Sequence, residues 1–114
     1  MATAVLFIGW DSPRPGVDAK KAYGQLLTEG IPSLRKQEGK AFERLETIGL
    51  TPHGGTLNSF ALLYGERAKL DELRRSDEFE AFVMNLGEKF SGVAVVPGVN
   101  DEGIKAVMDR WSKR

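Results

Sequence analysis

The segment Ala4 to Trp10, Ala-Val-Leu-Phe-Ile-Gly-Trp, carries no polar aliphatic side chain and no charge, so it lacks the alternation of a strand with one wet face. It is short, partly β-branched and closed by Asp11-Ser12-Pro13-Arg14-Pro15-Gly16, whose two prolines cannot donate to a ladder. It reads as a first strand that must be covered on both faces. One parity holds Val5, Phe7 and Gly9, and the other Ala4, Leu6, Ile8 and Trp10. The run from Leu57 to Tyr64 poses the same problem, with Phe60, Leu62 and Tyr64 on one parity and Ala61 and Leu63 on the other.

Between and after these runs the periodicity changes. From Asp18 onward Ala22, Leu26 and Leu27, with Tyr23 beside them, recur at helical spacing. Gly30 and Pro32 weaken or end that helix, unless Leu34 to Glu38 continues it past a kink. Ala41 to Thr51 sets Phe42, Leu45, Ile48 and Leu50 among charges and reads as a second strand. In Pro52-His53-Gly54-Gly55 the paired glycines offer the positive φ angles of a tight hairpin reversal into the third strand.

Arg67 to Arg75 predicts a short solvated helix. Asp77-x-x-Glu80 resembles a capping box and starts a helix with Phe79, Phe82, Val83, Leu86 and Phe90 in one stripe. Gly92 to Val96 is the fourth strand, stopped by Pro97-Gly98. Asn100 or Asp101 caps a terminal helix with Ile104, Val107, Met108 and Trp111 on one face. The order β-α-β-β-α-β plus one helix is α+β and ferredoxin-like, with a four-stranded antiparallel sheet. The right-handed crossover rule puts both main helices on one side of it. No repeat or linker divides residues 1–114, which read as a single ferredoxin-like domain.

Composition narrows the partners. Sixteen Lys plus Arg are cancelled by sixteen Asp plus Glu, so no overall field favours nucleic acid or membrane. With no cysteine there are no disulfides, thiolate nucleophiles or iron–sulfur clusters, and one histidine leaves no metal-ligand set. No window reaches the roughly 18 apolar residues of a membrane span. The apolar run from Met1 to Ile8 lacks the basic flank and cleavage pattern of a leader. The expectation is a cytoplasmic protein with no cofactor and no metal.

A chain of this length removes roughly 65% of its extended surface from water, which supports one core and makes a second bare apolar face costly. Left wet, that face forgoes about 1.5–3 kcal/mol for each large side chain. A second copy is the simplest cover, because a twofold axis presents the same patch twice. Val5, Phe7, Phe60 and Leu62 are the expected dimer interface.

The VLFIGW first strand, charged second strand, LNSFALLYG third strand, RSDEFEAF helix start and late VAVVPG strand resemble the dimeric α/β-barrel superfamily. The resemblance spans most of the chain and consists of element order and apolar strands, without a diagnostic motif. It implies ferredoxin-like subunits packed sheet against sheet as a homodimer. In many members a small-molecule ligand lies between sheet and helices. The superfamily includes cofactor-independent monooxygenases of polyketide-like substrates, lactone isomerases, haem enzymes and stress-related binding proteins, and no motif here chooses among them.

RNA-recognition domains share the βαββαβ order and stack bases on aromatics of the first and third strands. Leu6-Phe7-Ile8-Gly9 is similar to their first motif, and Ser59 to Tyr64 stands in the place of the other. The basic residue that opens the latter is absent, its second stacking aromatic is Leu62, and no net positive charge holds phosphates. A structural or regulatory dimer without a ligand is a third reading.

Chemistry-bearing residues are few. His53 is the only imidazole, the side-chain type suited to general acid–base work near neutral pH, although a turn favours a solvated side chain. Arg44 and Glu46 share one face of the second strand, with Glu43 opposite. They read either as charge-handling groups beside a ligand or as the charges that protect an edge strand. Trp10 and Tyr64, each at a strand end with a polar tip, suit the wall of a small-molecule pocket or the rim of a core. Phosphate-loop, dinucleotide and serine-hydrolase motifs are absent.

Overall fold

A computed structural model describes residues 3–51 and 53–113. Met1 and Pro52, which belong to the leader and turn readings above, lie outside the described residues. Strands β1 (Ala4–Trp10), β2 (Arg44–Gly49), β3 (Ser59–Gly65) and β4 (Ala94–Val99) form one antiparallel sheet in the order β2-β3-β1-β4. The helices are α1 (Ala19–Gln25), α2 (Ile31–Arg35), α3 (Arg67–Arg74), α4 (Asp77–Lys89) and α5 (Asp101–Ser112). This is the expected ferredoxin-like order with an added C-terminal helix.

The core fills one face of the sheet. Leu6, Ile8 and Trp10 of β1 and Leu63 of β3 are buried beneath Ala22, Leu26, Ile31 and Leu34 on the first helical segment. Phe79, Phe82 and Leu86 of α4 join them, and Phe90 closes the end of that helix. On the opposite face Val5, Phe7, Phe60, Leu62 and Tyr64 are half-buried, and Val96 is 50% exposed. The register aligns Val5 with Tyr64 and Gly98, and Phe7 with Leu62 and Val96. The Phe7 and Phe60 rings stack at 5.2 Å and 29°. A Cβ on Gly9 would meet the Phe7 ring at 2.5 Å, so the missing side chain makes the room in which that ring lies.

Local differences from the sequence reading have physical causes. Gly30 and Pro32 do not end the first helix. A π-helical turn over Leu26–Gly30 joins α1 to α2, with the Ile31 N–H reaching the Leu26 carbonyl five residues back. Pro32 then falls in the first turn of α2, where a missing N–H is tolerated. Ser76, not Asp77, caps α4: its extended backbone turns Oγ to accept from the Phe79 N–H at 3.2 Å.

Pro97 does not stop β4, which continues to Val99. An edge strand has a ladder on one side only, so a proline whose absent N–H would face outward breaks nothing. The β2–β3 connection is a wider loop over residues 50–58, closed by Leu50 N–H to the Asn58 carbonyl at 3.1 Å. Gly54 and Gly55 take no positive φ in it; the positive-φ glycines among the described residues, Gly16, Gly39 and Gly92, lie outside this loop. A loop that long reverses the chain without the strained backbone of a two-residue turn.

The terminal helix begins at Asn100, whose side chain accepts from the Gly103 N–H at 2.9 Å. Its apolar face forms as expected but stays in water: Ile104, Met108 and Trp111 are all exposed. No helix among the described residues is long and apolar enough to cross a membrane.

Candidate functional site

A cavity of about 300 Å³ opens between the α1–π–α2 segment and α4. Its floor is apolar, made by Leu26, Phe82, Leu86 and Phe90, and its rim carries Gln25, Glu29, Ser33, Glu78, Asn85 and Lys89. The volume lies at the lower end of small-molecule sites, and an apolar floor with a few polar groups at the mouth is their usual chemistry. The π-helical turn helps to form the opening, since its extra residue swells the helix beside α4. Gly30, in that turn, sits so close that an added Cβ would come within 3.3 Å of both the Leu26 and Phe82 side chains.

Behind the floor lies a polar cluster. Phe90 packs at 6.0 Å against Trp10 and takes the Tyr23 ring edge-on at 5.0 Å and 70°. The Tyr23 hydroxyl donates to Asn58 Oδ1, and Ser59 Oγ donates to the same oxygen at 3.2 Å. The Asn58 N–H is held by the Trp10 carbonyl at 2.9 Å. Trp10 is therefore the residue at which the sheet, the first helix and the end of α4 meet.

On the open face a second polar group forms at the edge of the sheet. The Arg44 guanidinium lies 4.2 Å over the Tyr64 ring, and the Tyr64 hydroxyl donates to Glu46 Oε1 at 3.2 Å. Cross-strand register produces this trio, because Arg44 pairs with Tyr64 and Glu46 with Leu62. β2 is an edge strand, so the same charges also discourage further pairing.

The structure thus brings Arg44, Glu46 and Tyr64 together and sets Trp10 on the other face of the sheet. Trp10 and Tyr64 do not share a pocket. His53 stays with its own loop: its Nδ1 accepts from the Gly55 N–H at 2.9 Å and its Nε2 donates to the Leu57 carbonyl at 2.7 Å. Both ring nitrogens are occupied in shaping the β2–β3 connection. Among the described residues no three His, Asp or Glu side chains gather as a metal site requires. Sequence reasoning passed over Tyr23, Asn58 and Phe90, which fit helix, strand and stripe readings; Asn58 in fact precedes the third strand, which begins at Ser59. The one available signal was the polar pair Asn58-Ser59 at the head of an apolar strand.

No protein-family profile matches the sequence, and no curated protein matches it either. Solved structures do match in fold. A hydroxynitrile lyase from Passiflora edulis superposes with a TM-score of 0.69 at 11% identity, over 90% of this chain and 97% of that one. An EthD (ethyl tert-butyl ether d) family protein from Bacillus halodurans gives 0.66 at 13% identity, over 84% and 96%. A dimeric protein of unknown function and ferredoxin-like fold from Bacteroides fragilis gives 0.61 at 17%, over 85% and 96%. The fold is ferredoxin-like, and proteins that share it include both an enzyme and a protein of unknown function that is described as dimeric.

Proposed function

We propose that the protein is a cytoplasmic homodimer whose subunits press their open sheet faces together, each binding a small, partly apolar organic molecule in the cavity between α1–π–α2 and α4. The observation that carries the dimer is the open face itself. Val5, Phe7, Phe60 and Leu62 lie there beside the exposed Val96, while the helical side chains of the core, from α1 to α4, pack on the other side. These side chains are already half-buried within the chain, so a second copy adds the part of each one's burial still missing, a fraction of the about 1.5–3 kcal/mol of a full burial, repeated on both copies. Structural neighbours described as dimeric support the same reading.

The cavity supports the ligand half of the proposal. Its floor suits a flat apolar body, and Glu29, Glu78 and Lys89 at the rim suit a polar substituent. A monooxygenase-like or isomerase-like reaction on a phenol or enol is the chemistry that accords with the superfamily resemblance. Native mass spectrometry of freshly purified protein tests both halves. The expected result is a species at twice the chain mass that sheds a small molecule on activation. A monomer at high concentration overturns the dimer, and a ligand that survives substitution of Gly30 by Val, which fills the cavity mouth, overturns the site.

A further inference from the structure

Among the described residues two buried side-chain polar atoms lack a hydrogen-bond partner, Thr47 Oγ1 on the edge strand β2 and the indole Nε1 of Trp10. Trp10 is 1% exposed. An indole N–H is a donor and nothing else, and a buried donor without an acceptor is costly enough that native proteins rarely leave one. Asn58, whose N–H is held by the Trp10 carbonyl, already has its side-chain oxygen engaged by both the Tyr23 and the Ser59 hydroxyls. The Trp10 donor is thus left without an acceptor among the described residues, and the carbonyl oxygen of a bound molecule would supply one.

Phe90 is the side chain that touches both this cluster and the cavity. It forms part of the cavity floor and packs on Trp10 and Tyr23 from the other side. It stands just beyond the last turn of α4, where its N–H is held by the Leu86 carbonyl at 2.9 Å and its backbone bridges to Pro13, so the buried ring can leave its place only by a change of side-chain rotamer. We propose that Trp10 is the polar anchor of the cavity: its Nε1–H donates to the carbonyl oxygen of a cyclic, otherwise apolar ketone, which enters between α1 and α4 and displaces the Phe90 ring. This inference rests on the reading that the cavity binds a small molecule, and adds the ligand's defining group and the residue that recognises it.

The test uses the Trp111→Phe protein, in which Trp10 is the only indole; Trp111 is 63% exposed and far from buried chemistry. Binding of 1-tetralone is compared with that of tetralin, which has the same rings without the oxygen, while the ¹H–¹⁵N indole resonance is followed. The expected result is at least about tenfold tighter binding of the ketone, since a site with an unpaired donor rejects the analogue that cannot satisfy it. The Trp10 indole resonance should move downfield with the ketone alone. Trp10→Phe should bring the two affinities together. If that variant does not fold, the resonance shift in the Trp10-containing protein decides by itself. Equal affinities with a stationary indole signal overturn the role of Trp10 and leave the cavity reading intact. Failure of both compounds to bind at millimolar concentration overturns the two together.

Discussion

The two faces of the sheet are made by the same strands and meet different fates. On the helix side Leu6, Ile8 and Leu63 are sealed by the chain's own helices, with large side chains from α1, α2 and α4 filling the space between. On the open side Phe7, Phe60 and Leu62 are equally apolar, yet they lean on one another and on the gap at Gly9 rather than on another layer. Apolar character therefore does not by itself say whether a residue is sealed by its own chain or left on an open face. What separates the two faces is which elements the chain has left to spend, since the helices that contribute to the core, α1 to α4, pack on one side.

Substitutions that sharpen this contrast differ in size and in dependence on protein concentration. Leu63→Ala, on the sealed side, is expected to cost about 2–5 kcal/mol in urea unfolding, with the loss unchanged on dilution. Phe7→Asp, on the open side, should weaken association at least about a hundredfold, about 2.7 kcal/mol, in sedimentation velocity while helical circular dichroism is kept. An unchanged dimer in that variant breaks the comparison. Ser76→Ala removes the cap of α4 on the sealed side and should lower stability by about 1 kcal/mol, measured by the shift in the urea midpoint. Arg44→Ala at the open rim should change unfolding stability by no more than about 1 kcal/mol, because the cation–ring contact is exposed on an edge strand. A larger change that depends on concentration would place Arg44 inside the interface.

The first helix offers a smaller version of the lesson. Gly30 and Pro32 are helix-breaking by propensity, and a sequence reading gives them that meaning. Tertiary packing of Leu26, Ile31 and Leu34 on the sheet holds the segment helical on both sides of the breakers, and the backbone takes up the misfit as a π-helical turn. That turn borders the cavity. The feature that local propensity reads as an end is the feature that shapes the candidate site.

His53 shows the converse. Its residue type attracts a chemical role, but its two hydrogen bonds are to backbone groups of its own loop. Tyr23, Asn58 and Phe90 carry no such signal, being an aromatic on a helix, an amide before a strand and the last member of an apolar stripe. They matter through the contacts that folding gives them around Trp10.

Much was determined by sequence alone: the element order, the strands that are apolar on both parities, the Phe79–Phe82–Leu86 stripe and the charged edge strand. These follow from periodicity and side-chain type, which are local properties of the chain. Tertiary structure decided which parity faces the helices and which residues of different strands share a face. Trp10 and Tyr64 illustrate the reason. Each parity is readable within its own strand, but the register that pairs Val5 with Tyr64 puts Tyr64 on the Val5 side and Trp10 on the other. Register is fixed only when helices, loop closure and ladder hydrogen bonds are satisfied together, and a shift of one residue would have exchanged the faces.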